Sequence, residues 1–393
     1  MDMEKQIEHS HIPIRGLNLH VAQAGKGKRG TVVFLHGFPE IWYSWRHQMV
    51  AVAAAGYRAV APDWRGYGLS DQPPEPEAAS YDDLVEDLLA ILDALSIPKA
   101  FLVAKDFGAI PVYDFALRHP SRTCGVMCLG VPFTHGGSSF TTLPEGFYIL
   151  RWREPGRAEA DFGRYDVKRV VRTIYVLFSR SEIPIANEDQ EIMDLADLST
   201  PLPEWFTQDD LAVYASLYEK SGFRYPLEMP YRSLHKRQPI EDPKFQVPVF
   251  VVMGEKDYVF KFPGVESVLK DGIMEKFALD LKITFVPEGS HFIQEQFPDK
   301  VNKLLLSFLR DHPIATLSTG GGGRCSLLKV ITFRAFQKFR NSAVSTEEVV
   351  VVLWELRGGV DLLQNLHYGR STALAEQHQR AEAEAASSKL YLC

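Results

Sequence analysis

Three side chains stand out by type and setting: Asp106 within Phe101-Leu-Val-Ala-Lys-Asp-Phe-Gly-Ala109, Asp257 after Gly254-Glu-Lys, and His291 after Gly289-Ser. Each follows a short apolar run. Around Asp106, Ala104 and Gly108 are small residues of the kind a sharp strand-to-helix turn needs, because a larger side chain there would meet neighbouring backbone. Such a turn lifts one side chain clear of the sheet. Serine is the commoner residue at its tip, but no Gly-x-Ser-x-Gly occurs in the chain. A carboxylate that attacks a saturated carbon forms an ester, which water can open at its carbonyl. A serine would form an ether, a dead end. Aspartate at the tip therefore points to an sp3 electrophile, an epoxide or an alkyl halide, rather than to an ester or amide. Structural readings compete: Asp106 as a helix cap, Asp257 as the cap of the next turn, His291 as a hydrogen-bonded loop histidine. Three strand-end positions in the order nucleophile, acid, histidine favour the chemistry.

The elements that would hold these residues alternate. Ile12 to Ala22 reads as an antiparallel edge hairpin turning at Gly16. Buried strands are predicted at Thr31–Leu35, Tyr57–Ala61, Phe101–Ala104, Gly125–Gly130, Val247–Met253 and Lys282–Val286. Helices are predicted at Trp45–Ala55, from the capping box Ser80-x-x-Asp83 through Leu95, after the elbow to about Arg118, over Pro263–Lys276, and over Pro298–Asp311. This alternation implies an α/β fold with a mostly parallel central sheet flanked by helices, with function at the carboxyl ends of the strands. From about Pro132 to Asp242 the pattern becomes short, proline-broken and aromatic-rich, with a second capping box at Thr207-x-x-Asp210. That stretch reads as an inserted helical cap over a cleft. The division expected is 1–131 core, 132–242 cap, 243–312 core and 313–393 C-terminal extension.

The 393 residues allow one large α/β domain plus extras. The net charge of -7 comes without a basic stripe or zinc spacing, which argues against nucleic-acid binding. The polar start of the chain lacks the apolar stretch of a secretory signal, and no run is long enough to span a membrane. Cys124 and Cys128 fall in an apolar run and read as buried free thiols, fitting a cytoplasmic, reducing setting.

The chain resembles an α/β-hydrolase-fold soluble epoxide hydrolase of the plant type. The resemblance rests on His36-Gly-Phe-Pro-Glu40, Trp42-Tyr-Ser-Trp-Arg46, Asp63-Trp-Arg-Gly-Tyr-Gly68, the Asp106 elbow, Glu154-Pro-Gly-Arg-Ala-Glu-Ala160, Pro230-Tyr-Arg232 and Gly289-Ser-His291, and covers about residues 5–312. It implies that Asp106 attacks the epoxide carbon and that Tyr148 and Tyr231, from the cap, hydrogen-bond the epoxide oxygen and donate a proton to it. His291, oriented by Asp257, would then activate water against the ester. Backbone N–H groups of Phe38 and Phe107 would form the oxyanion hole, and His36, Pro39 and Trp152 would help wall the substrate pocket. A small-molecule epoxide is the only partner implied, and no metal or organic cofactor is needed.

Two positions depart from the family pattern. Many relatives carry His-Asp-Trp at the elbow; here it is Lys105-Asp106-Phe107. Lys105 is expected to point to solvent, the alternative being that it lies close enough to Asp106 to favour the ionised carboxylate. Phe107 lacks the indole N–H that a haloalkane dehalogenase commonly uses to bind halide, which lowers that alternative. A non-catalytic ligand-binding relative of the fold is the reading from another class. In the extension, Ser318–Gly323 reads as a flexible linker, and Leu327–Arg340 as part of a poorly ordered extension or as a basic amphipathic helix. Val349–Trp354 reads as strand-prone, Gln377–Ser388 as at most a solvated helix, and Ser388-Lys-Leu390 as an internal copy of a peroxisomal address.

Overall fold

The computed structural model describes residues 6–135, 143–314, 329–334 and 348–353. Its centre is an eight-stranded sheet of order β1-β2-β4-β3-β5-β6-β7-β8. The strands are β1 Glu8–Ile14, β2 Leu17–Ala24, β3 Thr31–Leu35, β4 Arg58–Pro62, β5 Ala100–Lys105, β6 Thr123–Leu129, β7 Val249–Gly254 and β8 Leu281–Val286. β1 and β2 form the edge hairpin, Ile14 opposite Leu17, and β2 pairs antiparallel with β4; every other pairing is parallel. Parallel strands covered on both faces read as continuous apolar runs, and β3, β5 and β7 are buried at every residue.

The helices α1 Arg46–Ala54, α2 Tyr81–Ala94 and α3 Ala109–Arg118 follow β3, β4 and β5, and a further helix at Pro298–Asp311 closes the unit. The Ser80–Asp83 capping box starts α2 with both reciprocal hydrogen bonds formed. The helix predicted over Pro263–Lys276 is shorter. It spans Val265–Lys270, and only a 3₁₀ turn follows at Met274–Lys276. Gly272, at φ +70°, reverses the chain between the two.

Between β6 and β7 lies the helical insertion: α4 Tyr148–Arg153, α5 Arg157–Phe162, α6 Val167–Phe178, α7 Gln208–Ser221, and a kinked segment at Leu227–Arg232. The Thr207–Asp210 capping box opens α7, and Gly222, at φ +66°, ends it. Its buried aromatics, Trp152, Tyr175, Tyr218 and Tyr231 among them, join the same hydrophobic cluster as the sheet. Insertion and sheet thus share one compact unit, residues 1–315.

Residues 316–393 form the second unit. There, Lys329–Arg334 pairs antiparallel with Glu348–Leu353, with Arg334 opposite Glu348 and Lys329 opposite Leu353. The helical reading of Leu327–Arg340 is therefore corrected over 329–334, where β-branched Val330, Ile331 and Thr332 suit a strand. The strand expected near Val349 is present. The Gly-rich linker, Gln377–Ser388, Ser388-Lys-Leu390, Cys325 and Cys393 lie outside the described residues. Among the described residues no helix is long and apolar enough to cross a membrane. Cys128 is a buried free thiol, and Cys124 a half-buried one.

Candidate active site

Asp106 follows the last residue of β5 and has φ +51°, a left-handed conformation that a non-glycine residue adopts at a cost. Two glycines make room for it. A Cβ on Gly37 would lie 2.5 Å from the Asp106 Cβ, and one on Gly108 would lie 2.3 Å from the His36 carbonyl oxygen. The elbow thus packs against the loop after β3, and the N–H of Phe38 donates to Asp106 Oδ1 at 3.1 Å. The Phe38–Pro39 peptide is cis.

The predicted triad residues meet. His291 Nε2 lies 3.3 Å from Asp106 Oδ2, and its Nδ1 lies 3.0 Å from Asp257 Oδ1. Asp257 also accepts from the Val259 N–H at 3.0 Å, which fixes its carboxylate. All three side chains are buried. Burial pushes the Asp106 carboxyl up, but the hydrogen bond and charge of His291, the charge of Lys105 and the Phe107 N–H outweigh it and leave the group below its ordinary range. For His291, burial and Lys105 lower its affinity for a proton; Asp257 and Asp106 outweigh them and raise it. Asp106 is therefore poised as an anion beside a histidine inclined to hold a proton.

Lys105 does not point to solvent. It is 0% exposed, and its Nζ lies 3.1 Å from His291 Nε2. A buried charge needs partners; the carboxylates whose charges it meets are Asp106, its chain neighbour, and Glu40, from the loop after β3. Glu40 is itself buried. Its carboxyl is pushed up to about 7, chiefly by burial, with Lys105 opposing.

The cap tyrosines stand together. The Tyr148 and Tyr231 rings are 6.0 Å apart, and Trp152 sits 5.1 Å from each. Tyr231 also packs edge-on against Phe38 and Phe107, each at 5.5 Å. Burial holds both phenols well above their ordinary proton affinity, so they stay protonated donors. A cavity of about 430 Å³ reaches Asp106, Phe107 and Tyr148 and continues along Ile110, Phe133 and Phe262. Tyr231 is not among its lining residues.

His36, Pro39 and Trp152, expected to wall the pocket, are not among the residues lining this cavity, though His36 lines a small second one beside Tyr67 and Phe107. His36 is a structural tie: the Trp64 N–H donates to its Nε2 at 3.1 Å, so its proton sits on Nδ1, 2.9 Å from the Gly37 carbonyl. Pro39 is buried in the loop behind the elbow, and Trp152 braces the two tyrosines. Tyr258 was missed by sequence reasoning. Its hydroxyl lies 3.2 Å from that of Tyr148, and its ring is 4.8 Å from His291. Its place next to Asp257 was the available signal.

A sequence model of the alpha/beta hydrolase fold matches residues 30–261. Epoxide hydrolase 1 of Siraitia grosvenorii is 36% identical over 322 residues, covering 78% of this chain and 99% of that protein. The chain belongs to the epoxide hydrolases of the alpha/beta-hydrolase family. Bifunctional epoxide hydrolase 2 of Mus musculus is 30% identical, over 77% of this chain and 56% of that protein. Among solved structures, an epoxide hydrolase of Vigna radiata superposes with TM-score 0.71 at 32% identity, covering 78% of this chain and 98% of its own. A laboratory-evolved variant of potato epoxide hydrolase gives 0.71 at 30%, covering 78% and 99%. In this chain the Asp106 elbow and His291 follow β5 and β8, and Tyr148 and Tyr231 come from the helical insertion.

Proposed function

We infer that this epoxide hydrolase converts a small-molecule epoxide and water to a vicinal diol through a covalent ester on Asp106. The observation that carries the reading is one cavity that reaches both the Asp106 carboxylate and Tyr148, with His291 directly behind the carboxylate. Asp106 attacks an epoxide carbon, and the ring oxygen takes a proton from Tyr148 or Tyr231. An alkoxide is far more basic than a phenol, so the transfer runs downhill. In the second step His291, held by Asp257, removes a proton from water, whose oxygen attacks the ester carbonyl. The N–H groups of Phe38 and Phe107 stabilise the oxyanion, a contribution worth roughly 10²-fold or more in rate. With Phe107 at the elbow no indole N–H follows the nucleophile to hold a halide, which favours epoxides over haloalkanes. The free thiols of β6 support a reducing, cytoplasmic setting.

His291→Gln tests the scheme. Incubated with styrene oxide, the variant is expected to accumulate an adduct of substrate mass, read by intact-protein mass spectrometry and placed on Asp106 by peptide mapping. An inactive, unmodified protein, or halide release from haloalkanes in place of diol formation by the native enzyme, would contradict it.

A further inference from the structure

We propose that Lys105 is a positioning residue for the second half-reaction: its buried ammonium donates to the Nε2 lone pair of His291 and sets the pH above which that imidazole can take a proton from water. The proposal rests on the reading of His291 as the base of ester hydrolysis.

The geometry forces a choice on Nε2. Asp257 accepts at Nδ1, so Nδ1 carries a proton. Nε2 then faces two groups, the Asp106 carboxylate at 3.3 Å and the Lys105 ammonium at 3.1 Å. The carboxylate favours a proton on Nε2, whereas the ammonium favours a bare lone pair. Two N–H groups aimed at each other across 3.1 Å repel, so the ammonium donates to Nε2 only when Nε2 carries no proton of its own. Lys105 is not among the residues lining the cavity, so it acts through His291 rather than on substrate.

The balance changes during turnover. In the free enzyme Asp106 and Asp257 both raise the affinity of His291 for a proton. In the ester the charge of Asp106 is gone, while Lys105 remains and weighs against protonation. That is the stage at which Nε2 must be bare. The water O–H bond then breaks and its proton moves to Nε2. The water oxygen bonds to Cγ of Asp106, the bond from Cγ to the alkyl oxygen breaks, and the proton passes on to the departing diol oxygen. The second proton of that water, left on the new carboxyl oxygen, passes to the tyrosine phenolate that protonated the epoxide oxygen in the first step, so Asp106 returns as a carboxylate and the phenol is restored.

Other groups face this pair. Glu40 approaches from the loop after β3, with Gln294 donating to its Oε1. Glu295 lies behind it, paired to Arg46. Asp257 stands at the end of β7, the Tyr258 ring lies 4.8 Å from His291, and the Phe292 ring is 6.0 Å from Nζ. Burial pushes the Glu40 carboxyl up to about 7, so this acid could imitate the effect and its contribution is removed in the test.

The test follows decay of the alkyl-enzyme in single turnovers of the full chain with styrene oxide, quenched and weighed across pH. In Lys105→Met the acidic limb of the hydrolysis rate is expected to move up by about one pH unit or more. Lys105→Arg is expected to keep the native position. The Met shift should persist in a Glu40→Gln background. Lys105→Gln carries the same expectation and serves if the Met variant does not fold. An unmoved limb in a folded, neutral variant, or a shift that vanishes with Glu40→Gln, would overturn the role of Lys105. If His291→Gln cleaves its adduct at the native rate, the assignment of the base fails instead, whatever Lys105 does.

Discussion

Arg46, the first residue of α1, donates to Asp210 of α7 at 2.9 Å, and this contact ties the helical insertion to the sheet. The same guanidinium reaches Glu295, four residues past His291, at 2.6 Å. Tyr43 and Tyr214 donate to Asp210 and Glu295 at 3.1 Å each, so the two carboxylates are shared between core and insertion. Asp210 also belongs to the capping box that starts α7. One cation therefore holds three elements: the start of α1, the start of α7 and the turn that follows His291.

Removing that cation leaves two buried carboxylates without their counter-charge. Breaking a buried pair from one side typically costs about 3–5 kcal/mol. Arg46→Met is expected to lower Tm by several degrees and to make the α6–α7 region the first site of limited proteolysis. Arg46→Lys, a point charge that cannot fork between two acceptors, should recover only part of the loss. A melting temperature equal to the native value in Arg46→Met would show that the bridge contributes nothing net.

Glu40 gives a pH dependence with a defined sign. Its carboxyl is pushed from the ordinary 4.5 up to about 7 by burial, and among the described residues its Oε2 has no hydrogen-bond partner. Between those two values the unfolded chain has released this proton and the folded chain has kept it. Stability from this group therefore falls as pH rises through the window, by about 1.4 kcal/mol per unit, and levels off above about 7. Denaturant titrations of native protein and Glu40→Gln across the window should diverge, the native protein losing up to about 3 kcal/mol relative to the variant. Parallel curves would mean that Glu40 is ionised in the fold throughout.

Much of this arrangement was legible in the sequence because the information was local. Thr31–Leu35 and Val249–Gly254 are buried on both faces, so each reads as an unbroken apolar run; Ser80 and Thr207 cap their helices through partners three residues away. The elbow glycine and the order Asp106, Asp257, His291 are local signals too. What failed depended on distant partners. Lys105 looked like a solvent residue because a lysine is rarely buried, and His291, which receives it, is 186 residues away. The helix over Pro263–Lys276 failed for a local reason that propensity understates, a left-handed glycine at 272.

The paired tyrosines make the last prediction. Tyr148 reaches the cavity with its hydroxyl against that of Tyr258, and Tyr231 is clamped by Phe38, Phe107 and Trp152. If both donate to the epoxide oxygen, either can carry part of the work. Tyr148→Phe or Tyr231→Phe alone should slow alkylation of Asp106, and the double variant should lose the full contribution of a general acid, about 10²–10⁴-fold. Tyr258→Phe should cost less, since it removes only the neighbour that orients Tyr148. Burial raises the proton affinity of both phenols, so the protonated, active form persists as pH rises, and alkylation should show no loss up to about pH 10, the ordinary phenol value. Stopped-flow or rapid-quench measurement of adduct formation on a His291→Gln background isolates this step. Native-rate alkylation by the double variant would remove both tyrosines from the acid role and turn attention to Tyr258.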